Sequence, residues 1–354
     1  MIVYILAAIL IFGVLIAIHE FGHFAAAKLS GVKVNEFSIG MGPEIWSRTK
    51  GETQYSLRLL PIGGYCAMEG EDQDTGDQRG LVNQGFWKKF FILAAGPFMN
   101  FVAGLVILAV LYSGAEGFFV DQVADLAPEF TQTGEDGLMP GDRFYKVNGY
   151  RTYVAGDAGI FLAYAKDGET SVEVIRDGEH IVVENLSRQS CTDQKGETYH
   201  GFGIFLGREM VDASFGAKVR FTWNTALDFV QQVRFSLVQL FTGGASMKDL
   251  SGPVGIVSTI TEVGTQAENA YAAWYRIFYF AALIAVNLAV MNLLPIPALD
   301  GGRIFFLLID QVSLLFFKKK VPEKYQAVVN TAGFVVLMGF MLLITFQDVF
   351  KLFQ

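Results

Sequence analysis

The chain reads as a polytopic α-helical membrane protein of about four transmembrane helices, with a β-hairpin sheet on the cytoplasmic side and an inserted extracytoplasmic α+β domain. Three observations predict this. The 354 residues are 52% apolar and 14% aromatic, with a positive mean hydropathy. Four apolar segments, Ile2 to Ala27, Phe90 to Tyr112, Ile277 to Leu294 and Val328 to Phe346, reach the length needed to cross a bilayer. Between the second and third, the apolar runs give way to alternating strand-like stretches and turn signals.

The first span carries His19, Glu20 and His23. After it, Val32 to Met68 reads as short extended pieces, including Gln54 to Leu60, with turns at Gly40-Met41-Gly42-Pro43 and Gly63-Gly64. That pattern predicts a small hairpin sheet. Glu69 to Gly80 is acidic and glycine-containing, and reads as a mobile loop. From Ser113, turns such as Met139-Pro140-Gly141-Asp142 and Val147-Asn148-Gly149 punctuate a soluble domain of about 95 residues. Ser214 to Phe241 repeats apolar residues at helical spacing around Lys218, Arg220, Asp228 and Arg234, which predicts an amphipathic helix on the outer membrane surface or on the bundle. A fifth span there is the alternative. The divisions expected are 1–112, 113–209, 210–270 and 271–354.

Orientation follows from the basic residues. Lys28, Lys33, Arg48, Lys50 and Arg58 follow the first span, Lys88 and Lys89 precede the second, and Lys318, Lys319 and Lys320 separate the third from the fourth. All belong on the cytoplasmic side, so both termini and the inserted domain are expected outside. No basic residue precedes the first apolar run, which argues against a cleaved signal peptide. The net charge of −8, concentrated in the outer segment, argues against a nucleic-acid partner. Cys66 is expected inside and Cys191 outside, so a disulfide between them within one chain is excluded. His180 and His200 have no partner at ligand spacing and read as surface imidazoles.

His19-Glu20-x-x-His23 is the motif that carries chemistry. On a helix the two imidazoles lie one turn apart on one face and can reach a single metal, with a carboxylate beside them to handle a proton. Zinc is the expected cofactor. Ionisable groups at membrane depth cost a few kcal/mol unless they face protein, water or metal. A catalytic zinc takes three protein ligands and leaves a fourth position open, so one more is needed. Asp300 is the candidate, after Pro295 and Pro297 and before Gly301 and Gly302, where a helix cannot continue. Depth agrees: His19 sits about 26 Å along the first helix at 1.5 Å per residue, and Asp300 follows the inner end of the third span.

Together these residues resemble the site-2 protease family of intramembrane zinc metalloproteases, especially the bacterial regulated-intramembrane-proteolysis type with an extracytoplasmic PDZ domain. The likeness rests on His19-Glu20-x-x-His23, on Gly96-Pro97 and Asn100, on Gly137 to Arg143 with Val147-Asn148-Gly149, on Leu250-Ser251-Gly252-Pro253-Val254-Gly255, and on Asn292 through Gly302. It implies that His19, His23 and Asp300 bind zinc, that Glu20 is the acid/base, that Asn292 assists near the scissile peptide, and that the outer domain is PDZ-like. It also implies transmembrane-helix substrates in a bacterial inner membrane, such as anti-sigma factors or remnant signal peptides. Two departures stand: Arg303 where some relatives have histidine, and room for one PDZ domain where some have two. Two other classes fit parts of the pattern. A membrane-anchored adaptor with a structural zinc site would need a fourth protein ligand, and a transporter would give no reason for the His-Glu-x-x-His pattern.

Overall fold

The computed structural model describes residues 1–71, 73–192, 196–244, 251–319 and 321–351. Leu250 and Lys320, singled out above, lie outside the described residues. The chain runs α1 (Ile2–Leu29), β1 (Val34–Lys50), β2 (Thr53–Met68) and α2 (Phe86–Ser113). There follow β3 (Gly117–Leu126), β4 (Arg143–Val147), β5 (Tyr150–Arg151), α3 (Asp157–Ala163), β6 (Thr170–Arg176), β7 (Glu179–Leu186), β8 (Gln189–Thr192), β9 (Thr198–Gly201) and β10 (Ile204–Asp212). The remainder is helical: α4 (Phe215–Thr242), α5 (Pro253–Thr265), α6 (Ala270–Leu293), α7 (Asp300–Phe317) and α8 (Glu323–Lys351). Two compact units result, Met1–Ile107 with Ser246–Gln354, and Leu108–Ala245.

In the first unit α1, α2, α6 and α8 are long and apolar enough to cross a membrane, in the places the sequence predicts. The protein is a multi-pass membrane protein with a separate sheet region. Val3, Leu6, Leu10 and Val14 of α1 are exposed, as suits side chains that meet lipid. Close approach to α1 is set by two glycines. A Cβ at Gly13 would come within 2.7 Å of the Pro61 carbonyl oxygen, and one at Gly22 within 2.3 Å of that of Ala95. So β2 and α2 lie directly against the helix. Ala8 and Leu15 of α1 pack with Ile260 of α5 and Ile277, Ile284 and Ala285 of α6.

The predicted hairpin forms from longer strands than expected, each bent at its glycine–proline turn. Residues 34–39 of β1 pair on one side with 54–57 of β2 and on the other with 64–68, while 44–50 pair with 53–58. Two strands therefore make four ribbons in the order 44–50, 53–58, 34–39, 64–68. Gln54 to Leu57 is interior to that sheet, and Gly64 to Met68 is an edge. The loop after it, expected to be mobile, is tied by Lys33 to Glu69 at 2.8 Å and by Arg79 to Glu52 at 2.8 Å.

Helix α6 stops at Leu293, and Pro295 and Pro297 hold the next residues out of helix until α7 starts at Asp300. A Cβ at Gly301 or Gly302 would strike the Leu293 or Ile296 carbonyl oxygen at 2.3 and 2.2 Å, so only glycines let α7 fold back here. The α7 helix itself was not foreseen. Nor was α5, whose first turn explains the Gly-Pro-Val-Gly motif: the buried Asp348 carboxylate of α8 accepts from the Gly252 and Gly255 backbone N–H groups, both at 2.8 Å.

The second unit is an antiparallel sheet in the order β10-β3-β4-β6-β7, with β5 beside β4 and a separate β8-β9 hairpin. Val123, Phe144, Val147, Val172, Val174 and Val183 face its core with Phe161 and Leu162 of α3. The helix expected over 214–241 is present as α4, and part of its apolar face packs into this sheet unit. Phe235 fills the core beside Tyr150 and Phe161, and Phe221 stacks on Phe118 at 4.2 Å. Phe215, Val219, Trp223 and Phe241 of the same helix stay exposed, and α4 is not among the helices long and apolar enough to span a membrane. His180 is half-exposed and bonded to Glu173 at 2.7 Å, as a surface imidazole should be. Cys191 is wholly buried, as is most of Cys66.

Candidate metal centre

The fold brings three of the singled-out residues together. His19 Nε2 lies 3.2 Å from His23 Nε2, and Asp300 Oδ2 lies 3.1 Å from the first and 3.3 Å from the second. The histidines come from adjacent turns of α1 and the carboxylate from the first residue of α7. No other group of three or more His, Cys, Asp or Glu side chains converges in this way among the described residues.

The donor set fits a divalent cation. The His23 Nδ1 atom is 2.8 Å from the Ile92 carbonyl oxygen, which can only accept, so Nδ1 carries the proton and Nε2 presents a bare lone pair. That lone pair, a second imidazole and a carboxylate oxygen meet within 3.3 Å. Tetrahedral zinc with bonds of about 2.0–2.1 Å places its ligand atoms about 3.3 Å apart. The triangle needs almost no adjustment to accept the ion.

A cavity of about 410 Å³ opens on this triangle and is also lined by Glu20, Asn292 and residues 65–68 of the edge ribbon. Glu20 stands between the metal triangle and that ribbon. Its carboxylate faces the Cys66 backbone N–H, and Gly64 lies beside it, where a Cβ would sit in ordinary contact 3.6 Å from Glu20 Cγ. All five site residues read from the sequence, His19, Glu20, His23, Asn292 and Asp300, thus line one cavity. Arg303, one turn beyond Asp300, also lines it and pairs with Glu71 of the loop after β2.

Several contributors were missed. Ile92 acts through its carbonyl, which no side-chain pattern reveals. Gly96 and Asn100 were noted only as part of a resemblance. The signal was there in their spacing: 92, 96 and 100 form one face of a helix. Within the hairpin sheet expected over Val32 to Met68, residues 54–57 are paired on both sides, and Gly64 to Met68 is the edge beside the cavity.

Comparison with known sequences agrees with this geometry. The sequence model described as Peptidase family M50 matches residues 7–340. A Clostridium perfringens protein named as a candidate zinc metalloprotease is 38% identical over 347 residues, covering 98% of each chain. Similarly named proteins of Clostridium acetobutylicum and Fusobacterium nucleatum are 36% and 31% identical, covering 98% and 99% of this chain and 97% and 99% of their own. The adaptor and transporter readings fall away. The chain belongs to peptidase family M50, the site-2 protease family of zinc metalloproteases.

Proposed function

We propose that this enzyme cuts peptide bonds within the membrane, in transmembrane segments of other membrane proteins. The observation that supports this reading is the position of the three donors: two sit on α1, a helix of spanning length, and the third follows the unwound end of α6, as a cavity at membrane depth would require. A soluble protein substrate would have no reason to reach it.

His19, His23 and Asp300 would hold zinc, which when bound polarises a scissile carbonyl and makes its water acidic. Glu20 would take the water proton and deliver it to the leaving amine, from its place between the metal triangle and the edge ribbon. Asn292 would hold a carbonyl oxygen of the substrate chain. A helix in lipid has all its peptide groups paired, and unwinding it requires replacement partners. The Gly64–Met68 edge offers them, so the substrate would add there as a strand beside the metal.

The orientation we propose places both termini and the second unit outside the cytoplasmic membrane. By the family resemblance that unit is PDZ-like and would screen substrates by the bulk of their outer domains. The substrates would then be membrane remnants left by an earlier clip, of the anti-sigma-factor or signal-peptide kind. The test is purified enzyme in detergent against a single-span substrate, with the product ends identified by mass spectrometry. Cuts inside the apolar span are expected. Cuts confined to flanking polar residues would contradict the reading.

A further inference from the structure

We propose that Asn100 is a positioning residue for His19, a two-state amide that sets which imidazole nitrogen carries the proton and so whether Nε2 is bare toward the metal. This rests on the reading of His19 as a zinc ligand. On α2, Ile92, Gly96 and Asn100 share one face, laid along His23 and His19 of α1. The carbonyl of Ile92 fixes the His23 tautomer by being an acceptor only. For His19 the corresponding partner is an amide, which can donate or accept. Asn100 is 1% exposed. Its Nδ2 lies 3.3 Å from His19 Nδ1, and its Oδ1 is buried with no hydrogen-bond partner.

The two orientations of that amide correspond to two states of the site. With Nδ2 donating to a bare Nδ1, the ring proton sits on Nε2 and points at Asp300 Oδ2, 3.1 Å away. A half-turn of the amide puts Oδ1 on Nδ1–H, leaves Nε2 bare for zinc, and gives the carbonyl the donor it lacks. Asn100 therefore supports the metal-free site and the loaded one, and its rotation is coupled to loading. A ligand histidine held through its second nitrogen binds metal about 10–100-fold more tightly than one without that bond.

The test measures zinc affinity by competition with a chromophoric chelator, and thermal unfolding of the metal-free protein, on full-length enzyme in detergent. Asn100→Leu is expected to weaken zinc binding by about tenfold or more and to lower metal-free stability as well, because His19 Nδ1 is left buried without its donor. Asn100→Asp, which can only accept, is expected to bind zinc at least as tightly as wild type. His19→Ala serves as the control. If it loses zinc but Asn100→Leu keeps wild-type affinity, the proposal fails alone. If Asn100→Asp weakens zinc binding as much as Asn100→Leu does, Asn100 is only a packing residue and the proposal is overturned. If His19→Ala keeps zinc, the ligand reading itself fails and takes the proposal with it.

Discussion

Gly96 lies directly against the His23 ring: a Cβ at that position would come within 2.3 Å of Nε2 and 2.7 Å of Cε1. The ligand nitrogen occupies the space that any side chain on this turn of α2 would need. Gly96→Ala must therefore push His23 off the metal triangle, and zinc affinity should fall by more than about tenfold. Gly114→Ala, with nothing within 4 Å of its Cβ, should bind zinc as wild type does. Chelator competition on both variants checks this.

The edge ribbon makes a second prediction. Cys66 directs its N–H toward Glu20 and the cavity, away from the pairing with Phe37. Cys66→Pro removes that donor without adding charge, and cleavage should fall at least about tenfold with zinc content unchanged, because the substrate strand loses a partner beside the acid/base. Proline between Gln54 and Leu60 is a poorer probe, since it would break pairing inside the sheet. Turnover of Cys66→Pro equal to wild type would remove strand addition from the account.

In the sheet unit, Asp228 of α4 and Asp157 of α3 bond to each other, both buried, with Asp121 of β3 beside Asp157. Burial first, and the neighbouring Asp157 second, push the Asp228 carboxyl up to about 8. Asp121 and Asp157 are held by backbone N–H groups of residues 153–158, and Asp228 by Gln232. The folded state binds a proton that the unfolded state releases near pH 4, so stability is fully present below that pH and is lost as pH rises through about 8. Unfolding followed by the fluorescence of Trp223 on α4 should show a transition temperature that falls from pH 6 to pH 9. Asp228→Asn should flatten that slope. An equal slope in the variant would contradict the shared proton.

Orientation is open to direct labelling. The native thiols are poor reporters because both are buried, and burial also raises the Cys191 thiol above its ordinary range. In a chain with Cys66 and Cys191 replaced by serine, Lys50→Cys on the exposed sheet turn should be shielded from an impermeant thiol reagent in intact cells. Glu179→Cys on an exposed turn of the second unit should react. The reverse pattern would overturn the proposed topology.

Much of this architecture was legible because each feature has a short-range cause. The four spans follow from apolar length alone, and His19 and His23 from one helical turn. The stop before Asp300 follows from Pro295 and Pro297. What escaped was set by long-range contact. Helix α7 begins at Asp300 only because Gly301 and Gly302 tolerate the returning carbonyls of Leu293 and Ile296. Phe235 of α4 meets Tyr150 and Phe161, more than fifty residues away in sequence. Which ribbon of a doubly bent hairpin is the edge depends on register, and composition does not encode register.

The most direct test of the central claim is cleavage of a transmembrane helix by wild-type enzyme and by Glu20→Gln, purified in detergent and matched for zinc content. Glutamine keeps the shape and the metal triangle but cannot take the proton from water. The account predicts cleavage by wild type and none by the variant. Equal cleavage by both would contradict the role of Glu20 and, with it, the assignment of this cavity as the site of proteolysis.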